Sequence, residues 1–330
     1  MKISRRHAGL AGSLLGLLCI GLIAGCNAVQ PGTSTSGWSF AAFGDTPYSP
    51  TEDQALERMI AQLNREPLPF VLHVGDFKGG VEPCSDALLK ERVAQLNRIR
   101  HAVIFVPGDN EWTDCHRAGA GGHDPLERLA FLRAITAAGD RSLGGAPIAL
   151  QRQPDSQPQH AAYREHVRFE HQGVMFVGLN VTGSNNNLGR TAAMDAEYRQ
   201  RMAAVSDWVE ASTTLAMAEP VQALVLFFQA DINIDGRYPP RPNKPDGYAE
   251  FRALLARTAQ RLNKPLLLVH GDSHDYYFDQ PLRDAKGLVV PQLTRLEVPG
   301  SPRTEWVKVR VGAGKDAKTF WQATPFRAPD

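Results

Sequence analysis

Four short segments of this chain carry carboxylate and imidazole side chains at the same local position. Gly44-Asp45, Gly75-Asp76, Gly108-Asp109-Asn110 and Gly271-Asp272-Ser273-His274 each close an apolar run rich in Val, Leu, Ile and Phe. Such donors hold divalent cations, and the oxygen donors among them suit hard ones. A glycine before each Asp lets the backbone turn sharply or come close to a ligand, which a Cβ would resist. In an α/β protein these runs read as buried parallel strands, and ligands bind in the crevice at their carboxyl ends. The pattern therefore predicts that all four endings collect at one rim.

The elements that must position them follow in order. Strands are expected over 38–43, 70–74 and 102–106, delivering Asp45, Asp76 and Asp109-Asn110. Between them, Thr51-Glu52-Asp53-Gln54 has the form of a capping box for a helix carrying Ala55, Met59, Ile60 and Leu63, and a second helix spans 85–100. Asp124-Pro125 is a good cap and first helical position for a helix through Ala138, and a loop is expected from Gly139 to about Ala161. The runs 163–170 and 174–181 read as an antiparallel hairpin, 191–217 as a long helix, 223–228 as a buried strand and 248–263 as a helix. Pro265 to Val269 delivers the His270 to His274 segment, and three β-like runs close the chain. His73 lies inside its strand and reads as a buried structural residue.

Taken in order, Gly44-Asp45-Thr46-Pro47, Gly75-Asp76, Gly108-Asp109-Asn110-Glu111-Trp112, Gln229-Ala230-Asp231 and Gly271-Asp272-Ser273-His274 resemble the calcineurin-like metallophosphoesterases. That family's pattern is D-x-H, G-D, G-N-H-D/E, a lone His and G-H-x-H, each after a strand. The resemblance spans about residues 38–321. It implies an α/β fold, a four-layer αββα sandwich of two mixed sheets flanked by helices. It also implies two metal ions at the strand ends and hydrolysis of a phosphomonoester or phosphodiester by a metal-activated water. Asp45 would ligate the first ion, Asp76 would bridge, Asn110 would ligate the second, and His274 would return to the first.

The chain departs from that pattern at several positions. Pro47 stands where a ligating His is expected, Glu111 where a His assists the leaving group, and none of Gln229, Ala230 or Asp231 is the lone His. Asp272 replaces the first His of the last motif and keeps a ligand of harder character. The remaining set favours Mn, Mg, Fe or Ca over Zn, and one ion, two ions or none are all open. Asp45, Asp76 and Asp272 gathered at one rim would repel each other unless a cation or a raised pKa relieved them. Glu111 and His116 are the catalytic candidates and Arg117 the substrate-binding one; the plainer alternative for the last two is a solvated loop.

Composition sets the address. The first residues carry Lys2, Arg5 and Arg6, an apolar run follows from Ala8 to Ala24, and Ile23-Ala24-Gly25-Cys26 resembles a bacterial lipobox. The expected organisation is a lipoprotein signal over 1–25, a lipidated Cys26, a flexible tether over 26–37 and one catalytic domain over 38–330. This places the protein at the bacterial cell envelope, anchored to a membrane and facing the periplasm or exterior. Removing 1–25 takes three of the 36 basic residues and none of the 35 acidic ones, leaving a net charge of −2. Nucleic acid is therefore not an expected partner; a small phosphoester is. An exported compartment permits a disulfide between Cys84 and Cys115, the alternatives being free thiols or soft metal ligands. Three functions are open: a lipid-anchored, metal-dependent phosphoesterase, a degenerate relative that binds a ligand or partner without turnover, and a hydrolase with another acid–base arrangement.

Overall fold

The computed structural model of the protein describes residues 37–329 except 219, 240, 241 and 315. The expected signal peptide, Cys26 and all but the last residue of the expected tether lie outside them. The strands, in chain order, are β1 (Trp38–Phe43), β2 (Phe70–His73), β3 (Ala102–Phe105), β4 (Leu143–Gly144), β5 (Gln151–Arg152), β6 (Val167–His171) and β7 (Val174–Gly178). They continue with β8 (Ala223–Phe227), β9 (Leu266–His270), β10 (Tyr277–Asp279), β11 (Leu293–Glu297), β12 (Glu305–Val311) and β13 (Trp321–Arg327).

Two mixed sheets result. One runs β13-β12-β1-β2-β3-β4, the other β10-β11-β9-β8-β7-β6-β5. β1, β2 and β3 are mutually parallel, as are β7, β8, β9 and β11. Side-chain alternation decides the layering, because successive residues of a strand face opposite sides. Phe40, Leu72 and Ile104 of the first sheet meet Phe176, Val225 and Leu267 of the second in a central core. Their neighbours Ala41, Val71 and Val103 face outward onto the helices Pro50–Leu63, Asp86–Leu96 and Pro125–Thr136. On the far side, Val177, Leu226 and Leu268 pack against the helices Ala192–Met217 and Ala249–Leu262. The protein is thus the four-layer αββα sandwich expected. Full burial of each such side chain contributes roughly 1.5–3 kcal/mol, so the two inner faces hold the strand ends in fixed register.

Some local expectations change. The first helix is capped two residues earlier than expected: Ser49 Oγ accepts the Glu52 N–H at 3.3 Å, and the Glu52 carboxylate accepts the Tyr48 N–H at 3.0 Å. The reason is Pro50, whose fixed φ suits the first helical position. The expected 139–161 loop contains β4 and β5, each two residues long and too short to leave a periodic pattern. Cys84 and Cys115 are joined in a disulfide, with Cα atoms 5.7 Å apart, which removes the free-thiol and soft-ligand alternatives. Among the described residues no helix is long and apolar enough to cross a membrane.

Candidate functional site

The strand-end loops meet at one edge of the sandwich. Asp45 follows β1, Asp76 follows β2, Asp109 follows β3, Gln229 follows β8 and Asp272 follows β9. Asp45, Asp76, Asp272 and His274 all adopt left-handed backbone conformations, with φ of 53°, 57°, 79° and 65°. Each costs on the order of 1–2 kcal/mol in a residue with a Cβ, and such strain gathers at functional sites. Two glycines make the close approach possible. A Cβ on Gly108 would stand 2.0 Å from Asp76 Oδ1, and one on Gly271 would stand 1.9 Å from Asp45 Oδ2.

Hydrogen-bond direction defines the floor of the site. Asp76 Oδ1 accepts the Asn110 N–H at 2.9 Å, and its Oδ2 accepts both the Tyr48 hydroxyl and Gln229 Nε2 at 3.1 Å. Gln229 Nε2 also donates to Asp109 Oδ1 at 3.1 Å, and Asn110 Nδ2 donates to the Tyr48 oxygen at 3.0 Å. The Asp272 N–H sits 3.1–3.2 Å from both oxygens of Asp45, while Asp272 Oδ2 accepts the Asp231 N–H at 2.9 Å. His274 donates from Nδ1 to the Ser301 carbonyl at 2.7 Å, leaving Nε2 3.8 Å from Asp45 Oδ1. Burial, then repulsion from Asp109 and other acids, pushes Asp76 and Asp272 well above the usual carboxylate range. Asp45 is pushed up in the same way, first by burial.

The remaining sequence candidates are placed differently. Glu111 is fully buried and accepts the N–H groups of Phe77 at 2.5 Å and Gly108 at 2.9 Å, so it ties the loops after β2 and β3 together behind the floor. His116 and Arg117 lie at the mouth. Arg117 is half exposed, with Nη2 2.6 Å from Asp114 Oδ2 and 3.2 Å from Ser184 Oγ. His116 Nδ1 lies 2.8 Å from the Thr113 carbonyl, beside Arg190. His73 is enclosed by Phe43, Phe77 and Phe105, and burial pulls it down to about 3.

The two ions implied by the resemblance do not fit this arrangement. The Gln229 Oε1 accepts the Gly183 N–H at 2.5 Å, and an N–H must meet an oxygen there, so the amide hydrogens face Asp76 and Asp109. A cation at that point would meet a donor instead of a lone pair. Pro47 offers no side-chain ligand at the other position, where the Tyr48 hydroxyl stands between Asp76 at 3.1 Å and Asp45 at 3.5 Å. Among the described residues no three His, Cys, Asp or Glu side chains are grouped so that they could hold an ion.

Five residues of the site fall outside the sequence candidates: Tyr48, Asp109, Asp114, Ser184 and Gln229. Asp109 had a visible signal, since it follows its glycine as Asp45, Asp76 and Asp272 follow theirs. Its carboxylate, and not the Asn110 side chain, reaches Gln229. Ser184 had a weaker one, the Asn185-Asn186-Asn187 run that tolerates left-handed backbone.

No family model matches the chain, and no curated protein sequence matches it. Solved structures similar to it include a dimetal phosphatase from Danio rerio, at 13% identity over 88% of this chain and 99% of that one, with a TM-score of 0.48. A 5'-nucleotidase from Candida albicans is 12% identical over 88% of this chain and 52% of its own, with a TM-score of 0.45. A purple acid phosphatase from yellow lupin, Lupinus luteus, is 11% identical over 89% of this chain and 52% of its own, with a TM-score of 0.48. The chain spans about half the length of the last two.

Proposed function

We propose that the protein is a hydrolase of small phosphoesters, and that its pocket works through its own hydrogen-bonding and acid–base groups. The observation that carries this reading is Arg117. Its half-exposed guanidinium stands on the solvent side of the site and shares one nitrogen between the Ser184 hydroxyl and the Asp114 carboxylate. A guanidinium in that position can bind phosphoryl oxygens through its planar fork. His116, beside it, is placed to protonate a departing alkoxide. Beneath them, the carboxylates of Asp45 and Asp76 already receive donors from Asp272, Tyr48, Asn110 and Gln229, which offsets their repulsion of an anionic substrate.

The test is hydrolysis of p-nitrophenyl phosphate and bis(p-nitrophenyl) phosphate by the full chain, in EDTA and in Mn or Mg. Turnover that persists in EDTA supports the proposal. Turnover only with added metal would return the site to a metal-activated water held by Asp45, Asp76, Asn110, Asp272 and His274. Binding of a phosphoester without turnover in either condition would make the chain a degenerate relative, a reading favoured by Pro47 and the inward-facing Gln229 amide.

The proposal extends to location: export on a cleaved signal, and attachment to the membrane of the cell envelope through lipid on Cys26. Mass spectrometry of the mature N-terminus checks it. A Cys26→Ser protein that stays membrane-bound with an unchanged mass would remove the anchor.

A further inference from the structure

The edge of the sandwich opposite the strand-end site carries most of the exposed apolar side chains. Among the described residues six large ones are exposed, and two of them, Val81 and Tyr238, belong to the loops after β2 and β8 on the site edge. The other four are Leu215 and Met217, at 48% and 46% exposure, and Leu288 and Val289, at 62% and 45%. Leu215 and Met217 end the helix Ala192–Met217, and Leu288 and Val289 stand in the hairpin between β10 and β11. Single exposed apolar side chains are ordinary; several gathered at one edge mark a contact surface.

A chain of contacts ties these residues to the point where the described chain begins. Because Asp45 follows β1 at the site, Gly37 and Trp38 start on the opposite edge. The Trp38 ring lies 4.6 Å from that of His171, which leads into β7, and the Gln222 N–H before β8 donates to the Gly173 carbonyl at 2.7 Å. Lys264, just before β9, donates from Nζ to the carbonyls of Val221 at 2.6 Å and Met217 at 3.3 Å. The Leu266 N–H donates to the Gln292 carbonyl at 2.8 Å, where the hairpin enters β11. Since β7, β8, β9 and β11 are successive neighbours, this edge runs roughly 15 Å across the sheet.

The hairpin holds its apolar tip outward. Asp284 Oδ1 accepts the N–H groups of Lys286 at 2.8 Å and Leu288 at 2.9 Å, while Leu282 and Val290 at its base are buried. Asp284 is the one acid in residues 283–289, against Arg283 and Lys286, so the tip is net positive. Apolar side chains beside basic ones suit the headgroup region of a bilayer with anionic lipid.

We propose that this edge lies on the membrane, with Leu215, Met217, Leu288 and Val289 among the lipid headgroups and Arg283 and Lys286 facing anionic lipid. The strand-end site then opens away from the bilayer. This rests on the anchor at Cys26 proposed above. Ten residues, 27–36, separate Cys26 from Gly37, and a chain of that length reaches no more than about 40 Å. An anchored domain therefore stays within touching distance of the surface, and its chain leaves from the edge that carries the apolar side chains.

The test uses the full chain, expressed with its signal, purified from membranes and reconstituted on vesicles of phosphatidylethanolamine and phosphatidylglycerol. A fluorescent label is attached at Ala285→Cys in the hairpin or at Val81→Cys on the site edge, and spin-labelled lipid is the quencher. Both positions are exposed, and Cys84 and Cys115 are already bonded to each other. We expect quenching several-fold stronger at 285 than at 81, falling to the level at 81 when Leu288→Ser and Val289→Ser are added. Both serines replace exposed side chains, so the core is untouched. Equal quenching at the two positions, or quenching at 285 that survives the serine substitutions, overturns the membrane face; if mass spectrometry finds lipid on Cys26, the anchor still stands. Shielding of 285 that follows protein concentration and not spin-labelled lipid assigns the face to a second copy of the chain and also overturns it. Quenching at 285 in protein without lipid keeps the face and removes the anchor, and absence of both lipid and quenching overturns both.

Discussion

The Gly183 N–H and the Gln229 side-chain oxygen stand 2.5 Å apart, and this one bond turns the Gln229 amide hydrogens toward Asp76 and Asp109. With the Tyr48 hydroxyl on the other side of Asp76, it supplies by hydrogen bonding the positive field that a cation would otherwise supply.

The first consequence concerns metal removal. Protein purified without chelator is expected to carry no stoichiometric divalent ion, and its melting temperature should be equal in EDTA and in Mn or Mg. Gln229→Glu puts a third carboxylate against Asp76 and Asp109, so it should destabilise by about 1–3 kcal/mol in EDTA and recover part of that loss with Mn. Scanning fluorimetry with elemental analysis reads both effects. A parent that gains as much from Mn as the variant does would show that Gln229 is no substitute for an ion.

Tyr48 is the second link. Tyr48→Phe removes the donor to Asp76 and the acceptor for Asn110 while keeping the ring packed 5.2 Å from His274. We expect a loss of about 1–3 kcal/mol in urea unfolding, because a buried polar group is left without its partner. An unchanged midpoint would mean that solvent satisfies Asp76 and Asn110 equally well.

Stability should also depend on pH through Asp114. Its carboxyl lies at about 7 in the folded chain against an ordinary 3.8, raised first by burial. The folded state thus keeps a proton that the unfolded state has already lost. The contribution is full below about pH 3.8 and is lost as pH rises toward 7. Relative to Asp114→Asn, which cannot titrate, the parent should lose stability on the order of 1–3 kcal/mol across that window. A gap between the two that stays constant with pH would show that Asp114 is not the group whose titration is linked to folding.

The disulfide is a structural test of the mouth. Cys84 and Cys115 are 31 residues apart, and closing a loop of that length stabilises by about 2–4 kcal/mol through the unfolded chain. Cys84→Ser with Cys115→Ser should lower the unfolding midpoint by that amount. It should also raise KM more than it lowers kcat, because Arg117 sits two residues beyond the bridge. Equal KM values would detach the disulfide from substrate binding.

Much of this protein can be read in one dimension. The apolar runs ending at Gly-Asp are local signals of buried strands, and they placed β1, β2, β3 and β9 and the convergence of Asp45, Asp76, Asp272 and His274. The helices were legible for the same reason, since periodicity and caps act within a few residues. The direction of the Gln229 amide was not, because a residue type does not say which end faces a carboxylate; Gly183, 46 positions away, decides it. Nor could Ser184 be matched with Asp109 and Asp114, 75 and 70 positions distant, before the strand ends of two sheets were packed at one edge. Residue identity sets which groups can give or take a proton. Long-range packing sets which of them meet, and from which side.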